Sequence, residues 1–182
     1  MRRRSIVATF LLGLAGAGMV SGVASATAPP AAGPIELYAT AGDSPVGTIV
    51  VAGAIGDYGK TLSMDKNGKP DSNGNFVKIT LKKGTFIVDS TVLNHKTATA
   101  KPSIVDKATC SFAFTGSGPV TLSHGTGLYT GISGTVTITL NFLGDGPFYT
   151  SGAKKGQCNM SNNAILRAQR GWIMGHGAVK FA

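Results

Sequence analysis

Residues suited to acid–base chemistry are sparse in this 182-residue sequence. Glu36 is its only glutamate, and Asp89 is the aspartate that falls inside an apolar run, IVDST, instead of in or beside a turn. An aspartate on the same strand face as Ile87 would point into a cavity and act as an acid or base. At a sheet edge it would instead pair with a lysine such as Lys82. Asp89 and Glu36 are therefore the candidate catalytic residues, and both interpretations of Asp89 stay open.

Other chemistry-bearing residues lack the spacing that a site needs. His95, His124 and His176 show no i, i+2 or i+4 pair of the kind that binds zinc, so we interpret them as surface or turn residues. Neither Ser117 nor Ser133 stands in a G-x-S-x-G elbow followed by a helix. We expect no metal site and no cofactor.

The two cysteines, Cys110 and Cys158, indicate a disulfide if the protein leaves the cytoplasm. The bond would close a loop of about 49 residues and stabilise the fold by roughly 4 kcal/mol. Two buried thiols are the alternative.

The first 26 residues have the pattern of a signal peptide. Three arginines, Arg2 to Arg4, precede an apolar run over residues 6 to 20 that is too short for a stable membrane anchor, and Ala24-Ser25-Ala26 follows as a cleavage site. Cleavage after Ala28 and an uncleaved anchor are the alternatives. We expect a secreted or envelope-associated protein without a transmembrane segment after cleavage, exported by the Sec or twin-arginine route. Residues 27 to 34, TAPPAAGP, read as a disordered or extended leader, with one domain over 35 to 182.

The charge of the chain is basic but diffuse. After cleavage, 14 Lys and Arg would face 8 Asp and Glu, and only Lys82-Lys83 and Lys154-Lys155 form clusters. Nucleic-acid binding requires a denser basic stripe with interleaved aromatic residues, so we expect no nucleic-acid partner. Oligomeric state is left open.

Alternation of apolar and polar residues predicts strands and no helix of useful length. The clearest case is TVTITLNF (135–142), where Val136, Ile138, Leu140 and Phe142 share one face. Further strands are predicted from FVKITL (76–81), GTIVVAGAI (47–55), GTFIVDSTVL (84–93), CSFAFT (110–115) and GWIMGHGAVKF (171–181). Asn-Gly occurs twice in DKNGKPDSNGN (65–75), which favours a hairpin loop over a calcium loop because the Gly and Glu of the latter are missing.

Six to eight short strands joined by tight turns fit a sandwich or a closed barrel. Glycines inside the strands favour closure, because a small barrel must coil sharply at its corners. We therefore predict an all-β fold with a single antiparallel β-barrel.

The segment GTGLYTGISGT (125–135), placed before a strongly alternating strand, resembles the signature of the allene oxide cyclase and dirigent barrel superfamily. The resemblance implies a calycin-like, single antiparallel β-barrel of about eight strands. In that superfamily, polar side chains of the lumen hold or polarise a substrate, and those residues have no one-to-one match in this sequence. The sequence more closely resembles a group of small exported actinobacterial proteins, with which it shares GAIGDYG (53–59), DKNGKPDSNGN (65–75) and KKGQCNMSN (154–162).

A barrel with few buried titratable groups favours binding of a small apolar or amphipathic molecule, or an envelope-associated role, without catalysis. The candidate ligand-binding residues are Phe112, Phe114, Tyr129 and Trp172. For Trp172 the alternative is to plug the core, which is the more common role of a lone tryptophan. The long connection 144 to 170 is either tethered by Cys158 or forms a lid with Phe148 and Tyr149 at its edge. Two alternatives are a cyclase, isomerase or dirigent-type protein that steers a reactive intermediate, and a module that binds partners through its loops.

Overall fold

The computed structural model describes residues 30–41, 44–102, 104–159, 161 and 164–182, so the predicted signal peptide lies outside the described residues. The described chain contains nine strands, one helix and a short 3-10 turn at Gly127–Tyr129. In chain order these are β1 (Gly33–Ala41), β2 (Val46–Gly53), β3 (Asp57–Met64), β4 (Phe76–Leu81), β5 (Gly84–Asp89), α1 (Thr91–Ala98), β6 (Ile104–Asp106), β7 (Ser111–Ser123), β8 (Ser133–Asp145) and β9 (Ala168–Lys180).

Eight of these strands close into an antiparallel barrel, which confirms the predicted fold class. The strand order is β5-β4-β3-β2-β1-β9-β8-β7, and a pairing between β5 and β7 completes the circle, while β6 is a short addition beside β7. The first five strands form a meander. The chain then crosses through α1 and β6 to β7, and β9 returns to pair with β1.

The barrel interior is built by the alternation of apolar residues along each strand. In β8, Val136 and Ile138 are buried while Thr135 and Thr137 are exposed, as their spacing predicts. Along β1, Ile35 and Ala39 are buried between exposed neighbours. The hydrophobic core therefore lies inside the barrel, where Leu93 of α1 packs with the inward residues of the strands.

The helix α1 departs from the predicted strand over 84 to 93. The strand β5 ends at Asp89, whose Oδ1 accepts a hydrogen bond from the Thr91 N–H at 2.9 Å, and the Asn94 N–H then donates to the Ser90 carbonyl. Thr91 and Val92 suggest a strand by propensity. Local hydrogen bonding by Asp89 overrides that propensity and turns the chain into one short helix, with Leu93 buried.

The first strand begins inside the segment predicted as a leader. Gly33 and Pro34 already pair with Val179 and Ala178 of β9, so the barrel starts two residues before residue 35. Three strands, β1, β3 and the short β6, are not among the predicted runs.

Candidate functional site

A cavity of about 1040 Å³ occupies the lumen. Its walls are mainly aliphatic and aromatic side chains from the strands, among them Ile35, Ile79, Phe86, Val120, Ile138 and Leu140. It reaches solvent at one end of the barrel, where exposed residues such as Ser72, Asn73 and Ser161 also line it. The lumen therefore has one closed end and one mouth.

Strand alternation positions the walls of the cavity. In β7, Phe112, Phe114, Val120 and Leu122 face the cavity. The intervening inward positions are Gly116 and Gly118, and Gly118 is buried. A Cβ at Gly118 would lie 3.3 Å from the Cα of Leu93, so the missing side chain makes room for the helix.

The helix α1 forms one side of the mouth. Strands β5 and β7 pair at only three positions, Ile87 to Asp89 against Thr121 to Ser123, and α1 packs against β7 beyond them. Its residues Leu93, Asn94, Thr97 and Ala98 line the cavity. The helix thus completes the wall where the β5–β7 ladder ends.

The connection between β8 and β9 forms another part of the mouth. A disulfide joins Cys110 to Cys158, as predicted, and Asn159 and Ser161 beyond it line the cavity. Phe148 and Tyr149, the expected lid edge, are half-buried and are not among the lining residues; Phe148 instead forms a β-bridge with Cys158. The disulfide therefore fixes the chain immediately before the mouth residues.

The closed end is held by a buried carboxylate and a buried phenol. The Tyr129 hydroxyl donates to Asp57 Oδ2 at 2.6 Å, the Lys83 N–H donates to the same oxygen at 3.0 Å, and the Tyr58 N–H donates to Oδ1 at 2.8 Å. The ring of Tyr129 meets Phe86 edge-on, with centroids 5.8 Å apart. The carboxylate thus joins the start of β3 to the connections β4–β5 and β7–β8.

These contacts shift the pKa of both groups. Burial alone would raise the pKa of Asp57, but the hydrogen bonds from Tyr129 and from backbone N–H groups outweigh it and lower the pKa below its ordinary value. Burial raises the pKa of Tyr129 strongly, and the hydrogen bond to Asp57 and its negative charge raise it further. The pair is therefore a phenol and a carboxylate at neutral pH.

In the structure, neither candidate catalytic carboxylate lines the cavity. Glu36 is exposed on the outer face of β1, opposite His176 of β9, beside a shallow groove formed with Tyr38, Val50 and Met174. Asp89 is half-buried at the end of β5, where it accepts the Thr91 N–H. Neither carboxylate is among the lining residues, and they lie on separate elements.

Of the four candidate ligand-binding residues, Phe112 and Phe114 line the cavity, with the rings of Phe112 and Phe142 6.0 Å apart. Tyr129 has no exposed surface and belongs to the closed end. Trp172 is half-buried and precedes the lining residue Ile173 on β9, so strand alternation places it on the other face.

The histidines remain apart from one another and from the cavity. His95 is exposed on α1, His124 follows β7 with a positive φ of 54°, and His176 is exposed on the outside of β9. In the described part of the chain, no three His, Cys, Asp or Glu side chains come together as a group that could hold a metal ion.

Three groups of residues, in the wall and at the two ends of the barrel, are not among the residues predicted from sequence. The inward residues Ile35, Leu37 and Ala39 of β1 alternate in IELYA, a signal that was present. Asp57 begins β3, but because it follows Gly56 its sequence position is typical of a turn. No sequence pattern indicates the polar mouth residues of α1, because the sequence predicts a strand where this helix begins.

In comparisons with known proteins, no protein-family model matches the chain, and neither a curated protein nor a solved structure shows significant similarity to it. Within the described residues, no helix has the length and apolar character needed to cross a membrane.

Proposed function

We propose that the protein binds a small apolar or amphipathic molecule in the barrel lumen and does not transform it. The observation that carries this proposal is the cavity of about 1040 Å³, open at one end. Phe112, Phe114 and Ile138 line this space instead of filling it. Cavities that enclose small ligands are concave, mostly apolar and furnished with a few polar groups, and this lumen has each of these properties.

Acid–base catalysis receives less support than binding. A general acid or base must lie within hydrogen-bond reach of the reacting atoms, and the described lining residues include no Asp, Glu, His, Lys, Cys or Tyr. A dirigent-type protein that steers a reactive intermediate needs polar groups in the lumen to hold it, and Ser90, Asn94 and Thr97 line this cavity. It is our second candidate, and it begins with the same binding step.

The resemblance to the allene oxide cyclase and dirigent barrel superfamily stays a proposal. It is supported by the eight-stranded antiparallel barrel and by the position of GTGLYTGISGT, which connects β7 to β8. We also propose that the protein works after export, in the envelope or outside the cell, because disulfides such as Cys110–Cys158 persist in oxidising compartments.

Binding is tested with N-phenyl-1-naphthylamine, an uncharged dye whose fluorescence rises in apolar surroundings. We expect saturable binding by the wild-type protein. Leu140→Trp places a larger ring in the lumen and should weaken binding by about tenfold, whereas Thr137→Trp on the exposed face of the same strand should leave it unchanged. Equal binding by both variants, or none by the folded wild type, would remove the proposal.

A further inference from the structure

Among the residues that the structure describes, none with a charged side chain lines the cavity. Among the described residues that form its surface, the polar ones are serines, threonines and asparagines, and none is an aspartate, glutamate, lysine, arginine or histidine. An ion that enters an apolar interior loses its hydration and needs a protein partner of opposite charge to offset that loss. The lining residues offer no such partner.

Charged residues do occur near the mouth, but their side chains bind backbone N–H groups or are exposed to solvent. Asp65 and Asp71 accept hydrogen bonds from backbone N–H groups of their own loop, and Asp89 accepts the Thr91 N–H. His95 and Lys96 are exposed on α1. None of these five residues is among those that line the cavity.

Three polar side chains on the α1 side of the mouth, Ser90, Asn94 and Thr97, share a second property, which concerns hydrogen-bond donors and acceptors. Asn94 uses both hydrogens of its side-chain amide, one toward the Gly74 carbonyl at 3.2 Å and one toward Asn75 Oδ1 at 2.9 Å. Ser90 Oγ donates to the Asn75 carbonyl, and Thr97 Oγ1 donates to the Asn94 carbonyl.

All three of these side chains line the cavity, and each retains oxygen lone pairs after its hydrogens have been used. A ligand group next to them forms hydrogen bonds only if it supplies the hydrogen. The α1 side of the mouth therefore matches a hydroxyl or an N–H group better than a bare carbonyl or ester.

We propose that the lumen selects uncharged amphiphiles, with an apolar body in the barrel and a hydroxyl or amide N–H head at the mouth beside Ser90, Asn94 and Thr97. This inference rests on the proposed binding function and specifies its ligand class. It excludes long-chain carboxylates and ammonium ions as preferred ligands.

The test compares head groups on one chain length. N-phenyl-1-naphthylamine is displaced by dodecan-1-ol, methyl dodecanoate and dodecanoate, each below its aggregation limit, at a pH where the acid is ionised. We expect the alcohol to displace the dye at the lowest concentration. The ester should need a concentration about fivefold higher, because it has no hydrogen-bond donor. The carboxylate should need a concentration about tenfold higher than the ester.

The outcomes separate this inference from the binding function. Displacement by dodecanoate at concentrations equal to or below those of the alcohol would overturn the uncharged-ligand inference and leave lumen binding intact. Absence of dye binding by the folded protein would end both.

A variant designed to reverse the preference for uncharged head groups gives an independent check. Thr97→Lys places a cation at the mouth, and we expect it to improve displacement by dodecanoate about tenfold while the alcohol gains nothing. The matched control is Thr91→Lys, because Thr91 is exposed on the same helix and does not line the cavity. Circular dichroism establishes that both variants are folded. An equal gain in the two variants, or none in Thr97→Lys, would contradict the assignment of the head group to this mouth.

Discussion

The hydroxyl of Tyr129 lies 2.6 Å from Oδ2 of Asp57, across 72 residues of sequence, and joins the β7–β8 connection to the first residue of β3. Asp57 is only 7 % exposed and Tyr129 is fully buried, so this hydrogen bond is shielded from water. A carboxylate in such a place must have its lone pairs satisfied, and three donors satisfy them here. The closed end of the barrel is thus fixed by polar contacts, while the cavity opens to solvent at the other end.

Removing the phenol hydroxyl of Tyr129 should destabilise the fold without changing the lining of the cavity, to which Tyr129 does not belong. For Tyr129→Phe we expect a loss of about 1.5 to 3 kcal/mol in the free energy of unfolding, the range for a hydrogen bond to a charged group. Urea denaturation measures it. Tyr58→Phe is the control, since Tyr58 is 57 % exposed and its change should stay within about 0.5 kcal/mol. Similar losses in both variants would mean that the hydrogen bond contributes nothing specific.

Stability should fall at both ends of the pH range because of the same pair. The folded pKa of Asp57 lies below its ordinary value of 3.8, so its contribution is complete above that pH and is lost as the pH falls through the folded pKa. The folded pKa of Tyr129 lies above its ordinary value of 10.0, so stability declines as the pH rises past about 10, where the unfolded chain releases the proton first.

Urea titrations across pH test this linkage. Between about pH 9 and about pH 11 the wild-type protein should lose more stability than Tyr129→Phe, and below about pH 4 it should lose more than Asp57→Asn. Parallel pH profiles for the wild type and both variants would show that the two groups do not govern the response.

The disulfide should stabilise the fold and shape the mouth together. Replacing Cys110 and Cys158 by alanine releases a loop with a sequence separation of 48, which costs about 4 kcal/mol on the chain-entropy estimate. Because Asn159 and Ser161 follow the bond directly and line the cavity, affinity for the uncharged dye should fall as well. Thermal unfolding and dye titration of the double variant measure the two effects, and unchanged values for both would argue against a tethering role.

The strands that alternate cleanly could be predicted from sequence, whereas those that depend on tertiary context or on a single side-chain hydrogen bond could not. β8 shows strict alternation, and its interior residues Val136 and Ile138 follow from that pattern. β3 reads DYGKTLSM, with a glycine, a lysine and few apolar residues, so its pairing with β2 and β4 arises from tertiary context. β5 loses its last predicted residues to α1 because a side-chain hydrogen bond of Asp89 outweighs strand propensity.

The residues of the candidate site likewise divide into those predictable from alternation and those that depend on contacts between distant segments. Phe112 and Phe114 were placed in the lumen by alternation along one strand, which is local information. Asn94 and Thr97 line the mouth only because α1 packs against Gly116 and Gly118 of β7, a contact between distant segments. The buried position of Tyr129 likewise depends on Asp57, which no spacing in the sequence associates with it.

The glycines of GTGLYTGISGT supply the final prediction, since two of them are required for different reasons. Gly127 has a φ of 62° at the start of the 3-10 turn, a conformation that L side chains rarely adopt. A Cβ on Gly125 would overlap the backbone carbonyl of Tyr129. Gly125→Ala must therefore displace the turn that carries Tyr129, and it should cost more stability than Tyr129→Phe.

Gly33→Ala is the matched control, because its added Cβ would meet only the Cβ of Ala54 at 3.5 Å, an ordinary contact. We expect a change within about 1 kcal/mol there. Amide hydrogen exchange locates the damage: protection of Asp57, Tyr58 and Lys83 N–H groups should drop in Gly125→Ala and persist in Gly33→Ala, since two of these amides donate to the carboxylate that Tyr129 holds. If Gly125→Ala kept full stability and full protection, the turn would not be what seals this end of the barrel.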